Sequence, residues 1–221
     1  MEYNEIGITA LQEGSYEKAV EAFMKAVEQD PKNAIGYINL GNVFASLSDA
    51  EKAEPFFQKA ITLDKEAGTA YYGLANLYYN KERYEEAAKL YETAIRQGVE
   101  EADAYFMLGK SLERTGNEKL ALPYLQRAAE LAPEDLEARL SYGILLANME
   151  LFKEAGAEFR FILKQDEEHA DAHYNLGLLY AVSTNDKADA LLHLKKAFTI
   201  DPEHIQARYI YDMIQLGEND K

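Results

Sequence analysis

Apolar residues fall at helical spacing along nearly the whole chain, in short runs separated by polar turns. Tyr37, Leu40 and Phe44 share one face of one run, and Ala53, Phe57 and Ala60 share a face of the next. Steps of three and four residues place such side chains on one side of an α-helix. The stretches "EGSYEK", "LSDAEK", "NKERYEE" and "RTGNEK" interrupt the pattern with polar residues. The spacing therefore predicts a succession of short amphipathic helices joined by tight turns, and no strands.

The runs repeat with a period of 34 residues. Starting at Gly7, that step lands on Gly41, Ala75, Gly109, Gly143 and Gly177, all of them small. Ala19, Ala53, Ala87, Ala121 and Ala155 form a second column, and Phe23, Phe57, Tyr91, Leu125 and Phe159 a third. A fourth reads Ala26, Ala60, Ala94, Ala128 and Ile162. Glycine inside a helix costs about 1 kcal/mol relative to alanine, so its recurrence needs an offsetting gain. Ala75 identifies it: the column requires small size, so that the second helix of each unit approaches closely.

The columns resemble the tetratricopeptide repeat (TPR) family, a 34-residue helix–turn–helix unit with an aromatic, a Leu-Gly pair, two Ala positions and a terminal Pro. In the second unit the matching residues are Tyr37, Leu40, Gly41, Phe44, Ala53, Phe57 and Ala60. The resemblance implies an all-α, right-handed superhelical α-solenoid of six helix–turn–helix repeats plus a C-terminal capping helix. Repeat boundaries are expected near 1–33, 34–67, 68–101, 102–135, 136–169 and 170–204, with the capping helix near 203–217 and a disordered tail over 218–221. The cap is read from "EHIQARYIYDMIQLG", which aligns with "EDLEARLSYGILLAN" but carries Asp212 in the small column.

Departures from the pattern carry their own expectations. The repeat-ending Pro31, Pro133 and Pro202 give way to Lys65, Val99 and Glu167 elsewhere. Pro55 and Pro123 lie inside second helices, where each removes one backbone bond and predicts a slight kink. In the sixth unit the later columns slip by one, to Ala190, Leu194 and Ala197, which predicts an extra residue in the turn "VSTND".

Composition narrows the function. The formal net charge is −16, from 39 acidic and 23 basic residues, which opposes nucleic-acid binding. Cysteine is absent, so thiolate and disulfide chemistry are excluded. No secretory signal and no membrane-spanning run is found, and a cytoplasmic location is expected. His169 and His173 stand i, i+4, a geometry that suits two metal ligands. His173, however, shares the column of Tyr37, Tyr71 and Tyr105 and is expected to be a packing residue. His193 and His204 read as isolated. No Gly-rich phosphate loop and no nucleophile–base pair occurs, so no enzyme activity, cofactor or metal is expected.

The resemblance further implies that the first helix of each unit lines a concave peptide-binding groove. Its fifth, ninth and thirteenth positions, which form one helical stripe, supply the candidates. Asn42, Asn76, Asn80 and Asn148, with Asn39 nearby, would set amides along the groove, where each offers donors and an acceptor to an extended backbone. Ile38, Tyr72, Phe106, Leu140 and Tyr174, with Tyr79, would be apolar anchors or else core packing. Lys110 and Arg114 either clamp an acidic group of a partner or are neutralised internally by Glu113 and Asp103. Replacing Asn76 and Arg114 by Ala is expected to weaken capture and leave stability unchanged. The carboxylate-clamp pattern of chaperone cofactors is not matched, since Asn4, Ile8, Asn39, Thr69 and Gly73 hold its positions. The leading expectation is a non-catalytic adaptor for an extended or helical segment of another protein. The alternative is a weakly self-associating scaffold that uses exposed solenoid ends.

Overall fold

The computed structural model describes residues 2–184 and 186–219. Every element among them is helical, in the order α1 (Glu2–Gln12), α2 (Tyr16–Gln29), α3 (Ala34–Ser46), α4 (Ala50–Leu63), α5 (Gly68–Asn80), α6 (Tyr84–Arg96), α7 (Ala102–Arg114), α8 (Glu118–Leu131), α9 (Leu136–Asn148), α10 (Phe152–Gln165), α11 (Ala170–Leu179), α12 (Lys187–Ile200) and α13 (Ile205–Asn219). The helices group into two compact units, residues 1–124 and 125–221. Helix α13 runs two residues past the expected boundary at 217, and residues 220–221 of the expected tail lie outside the described residues. No helix among the described residues is long and apolar enough to cross a membrane.

In the first unit consecutive helices pack in pairs, α1 on α2, α3 on α4 and α5 on α6, and each pair packs on the next. The small column explains the closeness. A Cβ at Gly7 would stand 2.3 Å from the Phe23 ring, and one at Gly41 would stand 2.7 Å from the Phe57 ring. Phe23, Phe57 and Tyr91 are fully buried, as are Ala19, Ala53 and Ala87. Gly73, which belongs to no column, abuts the same Phe57 ring from α5: a Cβ there would meet it at 2.4 Å. One aromatic ring thus fills the gap between two first helices, α3 and α5.

The second unit repeats the scheme with α9 on α10 and α11 on α12. Gly143 faces Phe159, and Gly177 faces Leu194. Ala190, Leu194 and Ala197 are fully buried, so the slipped column is the packed one. The extra residue is absorbed differently from expectation. It widens the end of the first helix into a π-helical turn, Tyr180–Thr184, before the turn is reached. A π turn holds one more residue than an α turn over the same rise, so it accommodates the insertion without moving α12.

The turns inside the first five repeats close by one device. Gly14, Ser48, Glu82, Gly116 and Glu150, again 34 apart, all have positive φ between 57° and 73°. At each, the following N–H bonds back to the first helix, as in Ser15 N to Ala10 O at 2.8 Å and Leu151 N to Leu146 O at 2.9 Å. This is the six-to-one closure of a left-handed helix cap. Pro55 and Pro123 sit within α4 and α8, and both helices continue through them.

Candidate interaction surface

The first helices of the first unit lie side by side, and polar contacts cross between them. Asn39 Nδ2 on α3 donates to Asn4 Oδ1 on α1 at 3.3 Å. The Tyr72 hydroxyl on α5 donates to Asp103 at the start of α7. Burial and that carboxylate together push the Tyr72 pKa up to about 12. Asn76 Oδ1 accepts from the Tyr91 hydroxyl at 2.5 Å. Burial also pushes the Tyr91 hydroxyl upward, so it stays protonated and needs an acceptor. Asn76 is therefore committed to the core of its own repeat on its oxygen side, a role the sequence reading missed. The signal was present: among the aromatic residues of its column, only Tyr91 carries a hydroxyl.

Asn42 and Asn80 differ. Both are exposed, and among the described residues neither amide has a hydrogen-bond partner. Tyr79 meets Tyr84 edge to face at 5.1 Å, and the exposed Arg114 guanidinium lies 5.9 Å from the same Tyr84 ring. Lys110 Nζ stands 2.8 Å from Glu113 Oε2 as a charge contact without hydrogen-bond alignment. Of the two expected neutralising carboxylates, Glu113 is thus engaged with Lys110, while Asp103 is engaged with Tyr72. Phe106 is half-buried, and Ile38, at 9% exposure, is part of the core between α3 and α5. In the second unit Leu140 is likewise buried at 5% exposure, whereas Asn148 is exposed. Tyr174 is half-buried against the His204 ring at 4.5 Å. Ile38 and Leu140 are therefore packing residues rather than contact surface.

The histidines are structural. His169 and His204 occupy the helix N-cap column, and each accepts through Nδ1 from a backbone N–H, at 3.3 Å from Ala172 N and 3.2 Å from Ala207 N. Asn33 and Asp135 cap α3 and α9 from the same column. His204 is buried and its Nε2 lies 3.4 Å from Asp171 Oδ1, so it is not isolated. His173 Nε2 donates to the Glu167 carbonyl at 3.1 Å, as the hydroxyl of Tyr37, in the same column four repeats earlier, donates to the Pro31 carbonyl at 3.2 Å. His173 Nδ1 faces His193 Nδ1 at 2.8 Å. His169 and His173 are not brought together, and among the described residues no group of three or more His, Cys, Asp or Glu side chains is placed to hold a metal ion.

Burial of the His173–His193 pair lowers both pKa values, and the charges of His173 and Lys196 help bring His193 to about 4 against the opposing pull of Asp189. Unfolded histidine titrates near 6.5. The stability these rings contribute is therefore complete above about pH 6.5 and is lost as pH falls toward about 4, because the unfolded chain binds protons first. We expect acid to lower the unfolding temperature of the wild type across this window. A His193→Gln variant should show a shallower fall, the two curves diverging by on the order of 1 kcal/mol. Parallel curves from calorimetry at pH 7 and 4.5 would refute it.

Residues 3–176 match the family described as "Cilia and flagella-associated protein 70 C-terminal domain", and residues 170–204 match the tetratricopeptide repeat. Over 39 residues the chain is 51% identical to the TPR repeat-containing protein YrrB of Bacillus subtilis (strain 168), a match that spans 18% of this chain and 19% of that protein. A solved structure of YrrB is similar at a TM-score of 0.84 and 45% identity, covering 88% of this chain and 100% of the solved one. Pseudomonas aeruginosa PilF, with TM-score 0.76 and 21% identity over 97% of this chain and 96% of its own, shares the fold. So does MamA, with TM-score 0.70 and 18% identity over 78% of this chain and 94% of its own. The 34-residue columns, the consecutive helix pairs and these likenesses agree: the chain belongs to the tetratricopeptide repeat family, in the group described by the Cilia and flagella-associated protein 70 C-terminal domain.

Proposed function

We propose that the chain is a non-catalytic interaction adaptor that receives an extended or helical segment of another protein along the first helices of its N-terminal unit. The observation that carries this reading is the pair of exposed amides, Asn42 on α3 and Asn80 on α5, without hydrogen-bond partners among the described residues. Asparagine is a mediocre helix former, and a purely solvated helical position is better served by Glu or Lys. An amide presents donors and an acceptor together, so it serves a peptide backbone without reading its side chains. Beside them, Tyr79 and the half-buried Tyr72 and Phe106 offer apolar area, and Arg114 offers a cation for an acidic group. The solved YrrB is described as a TPR protein with an unusual peptide-binding site, which supports peptide capture as the mode. His169, His173 and His204, spent on caps and packing, support a role without catalysis.

Replacing Asn42 and Asn80 together by Ala should leave unfolding unchanged within about 0.5 kcal/mol, since both side chains are exposed. Binding to an array of unstructured peptides should fall at least about tenfold. Equal binding by wild type and double variant would remove the amides from the reading.

A further inference from the structure

A cavity of about 540 Å³ opens within the second unit between α10, α11 and α12. Its walls carry Arg160, Lys164 and Lys196, with Glu167 as their only carboxylate. His173, His193 and Tyr180 also line it. In a chain of net charge −16 carboxylates are plentiful, yet among the described residues none is paired with these three cations. Arg160 and Lys164 stand i, i+4 on α10, where like charges repel. A Cβ at Gly156 would come within 3.1 Å of the Arg160 guanidinium, so the missing side chain gives that group its place against the helix.

Hydrogen bonding fixes what the histidines present. The Glu167 carbonyl only accepts, so His173 Nε2 carries a proton. Neutral His173 must then accept through Nδ1 from His193 Nδ1–H. That leaves His193 Nε2 as the open valence of the pair. It accepts from a ligand when neutral and donates when protonated, and neither state breaks the bond to His173. The Tyr180 ring lies nearly parallel to His193, at 19° and 5.7 Å, and adds an aromatic face.

With both histidines neutral, the lining carries two net positive charges. A phosphate monoester carries about −1.5 to −2 at neutral pH, whereas a single carboxylate leaves one cation uncompensated. Arginine suits phosphate oxygens through its planar fork, and lysine serves as a point charge. A cavity of this size is in the range of small-molecule sites. We propose that it binds a small phosphate ester, with the phosphate among Arg160, Lys164 and Lys196 and the organic part against Tyr180 and His193.

The test uses the full chain at pH 7 and low ionic strength, titrated with adenosine 5′-monophosphate and with inorganic phosphate, and observed by NMR. Saturable binding of the nucleotide is expected, with His193 and Tyr180 resonances moving, and with weaker binding of inorganic phosphate. Lys164→Gln with Lys196→Gln should lower nucleotide affinity by at least about tenfold. Lys195→Gln, on the same helix but outside the lining, should leave it unchanged. All three lysines are exposed, so these variants should melt with the wild type. No saturation up to about 10 mM overturns the proposal, as does equal loss in the Lys195 variant, which reports general screening. Equal affinity for the two probes overturns the assignment of an ester.

Discussion

Phe57→Ala is expected to destabilise the N-terminal unit by about 3–5 kcal/mol, the range for truncating a fully buried Phe. The ring has no exposed surface and is abutted by Gly41 of α3 and by Gly73 of α5. Neither wall can collapse into the void, because each is helix backbone without a side chain. Much of the cavity term is therefore retained. Phe57 also joins two repeats, and in repeat arrays stability depends on each unit and on its interface with the next. Both are weakened by one substitution. Chemical denaturation followed by circular dichroism measures this, and a loss below about 1 kcal/mol would show that the ring is not the wedge described. Gly73→Ala probes the same contact from the other side. It gains about 1 kcal/mol of helix propensity, but its Cβ would sit 2.4 Å from a ring that has no room to retreat. Overpacking of this kind costs about 1–3 kcal/mol, so a net loss is the expected sign.

Asn76→Ala is expected to cost about 1–3 kcal/mol, because it strands the buried Tyr91 hydroxyl without its acceptor. This differs from the expectation for a free groove amide, whose removal would leave stability unchanged. Tyr91→Phe removes donor and need together and should cost less. The double variant should cost less than the sum of the two, with a coupling of about 1–2 kcal/mol in a double-mutant cycle. Additive losses would mean that the bond does not form. Asn42→Ala is the internal control: in its repeat the position of Tyr91 is held by Phe57, which has no hydroxyl, and Asn42 is exposed. It should stay within about 0.5 kcal/mol of the wild type.

The contrast between Asn42 and Asn76 marks the limit of reading by position. Both fall in one column of one helix face, and periodicity gives them the same role. Only the side chain packed behind each, Phe57 or Tyr91, separates an amide available to a partner from one spent on the core. Ile38 and Leu140 show the same limit, since a stripe position does not reveal how closely the neighbouring first helix covers it. His193 and His204 read as isolated because their partners, His173 and Asp171, lie 20 and 33 residues away in sequence.

What the residues determined by themselves was periodic. Apolar spacing set the helices, and the 34-residue step set their pairing. The Ala and aromatic columns named most of the fully buried side chains, because each repeat solves the same packing problem with the same local chemistry, but passed over a further buried column at Ala70, Ala104, Ala172 and Ala207. Tertiary structure decided whatever depended on a non-periodic neighbour. Gly73 became the second wall of Phe57, the inserted residue became a π turn, and Ser48, Glu82 and Glu150 accepted left-handed backbone that their side chains do not announce. The physical reason is one of range: helix formation is governed by residues three and four apart, whereas contact across repeats is settled only when the surfaces meet.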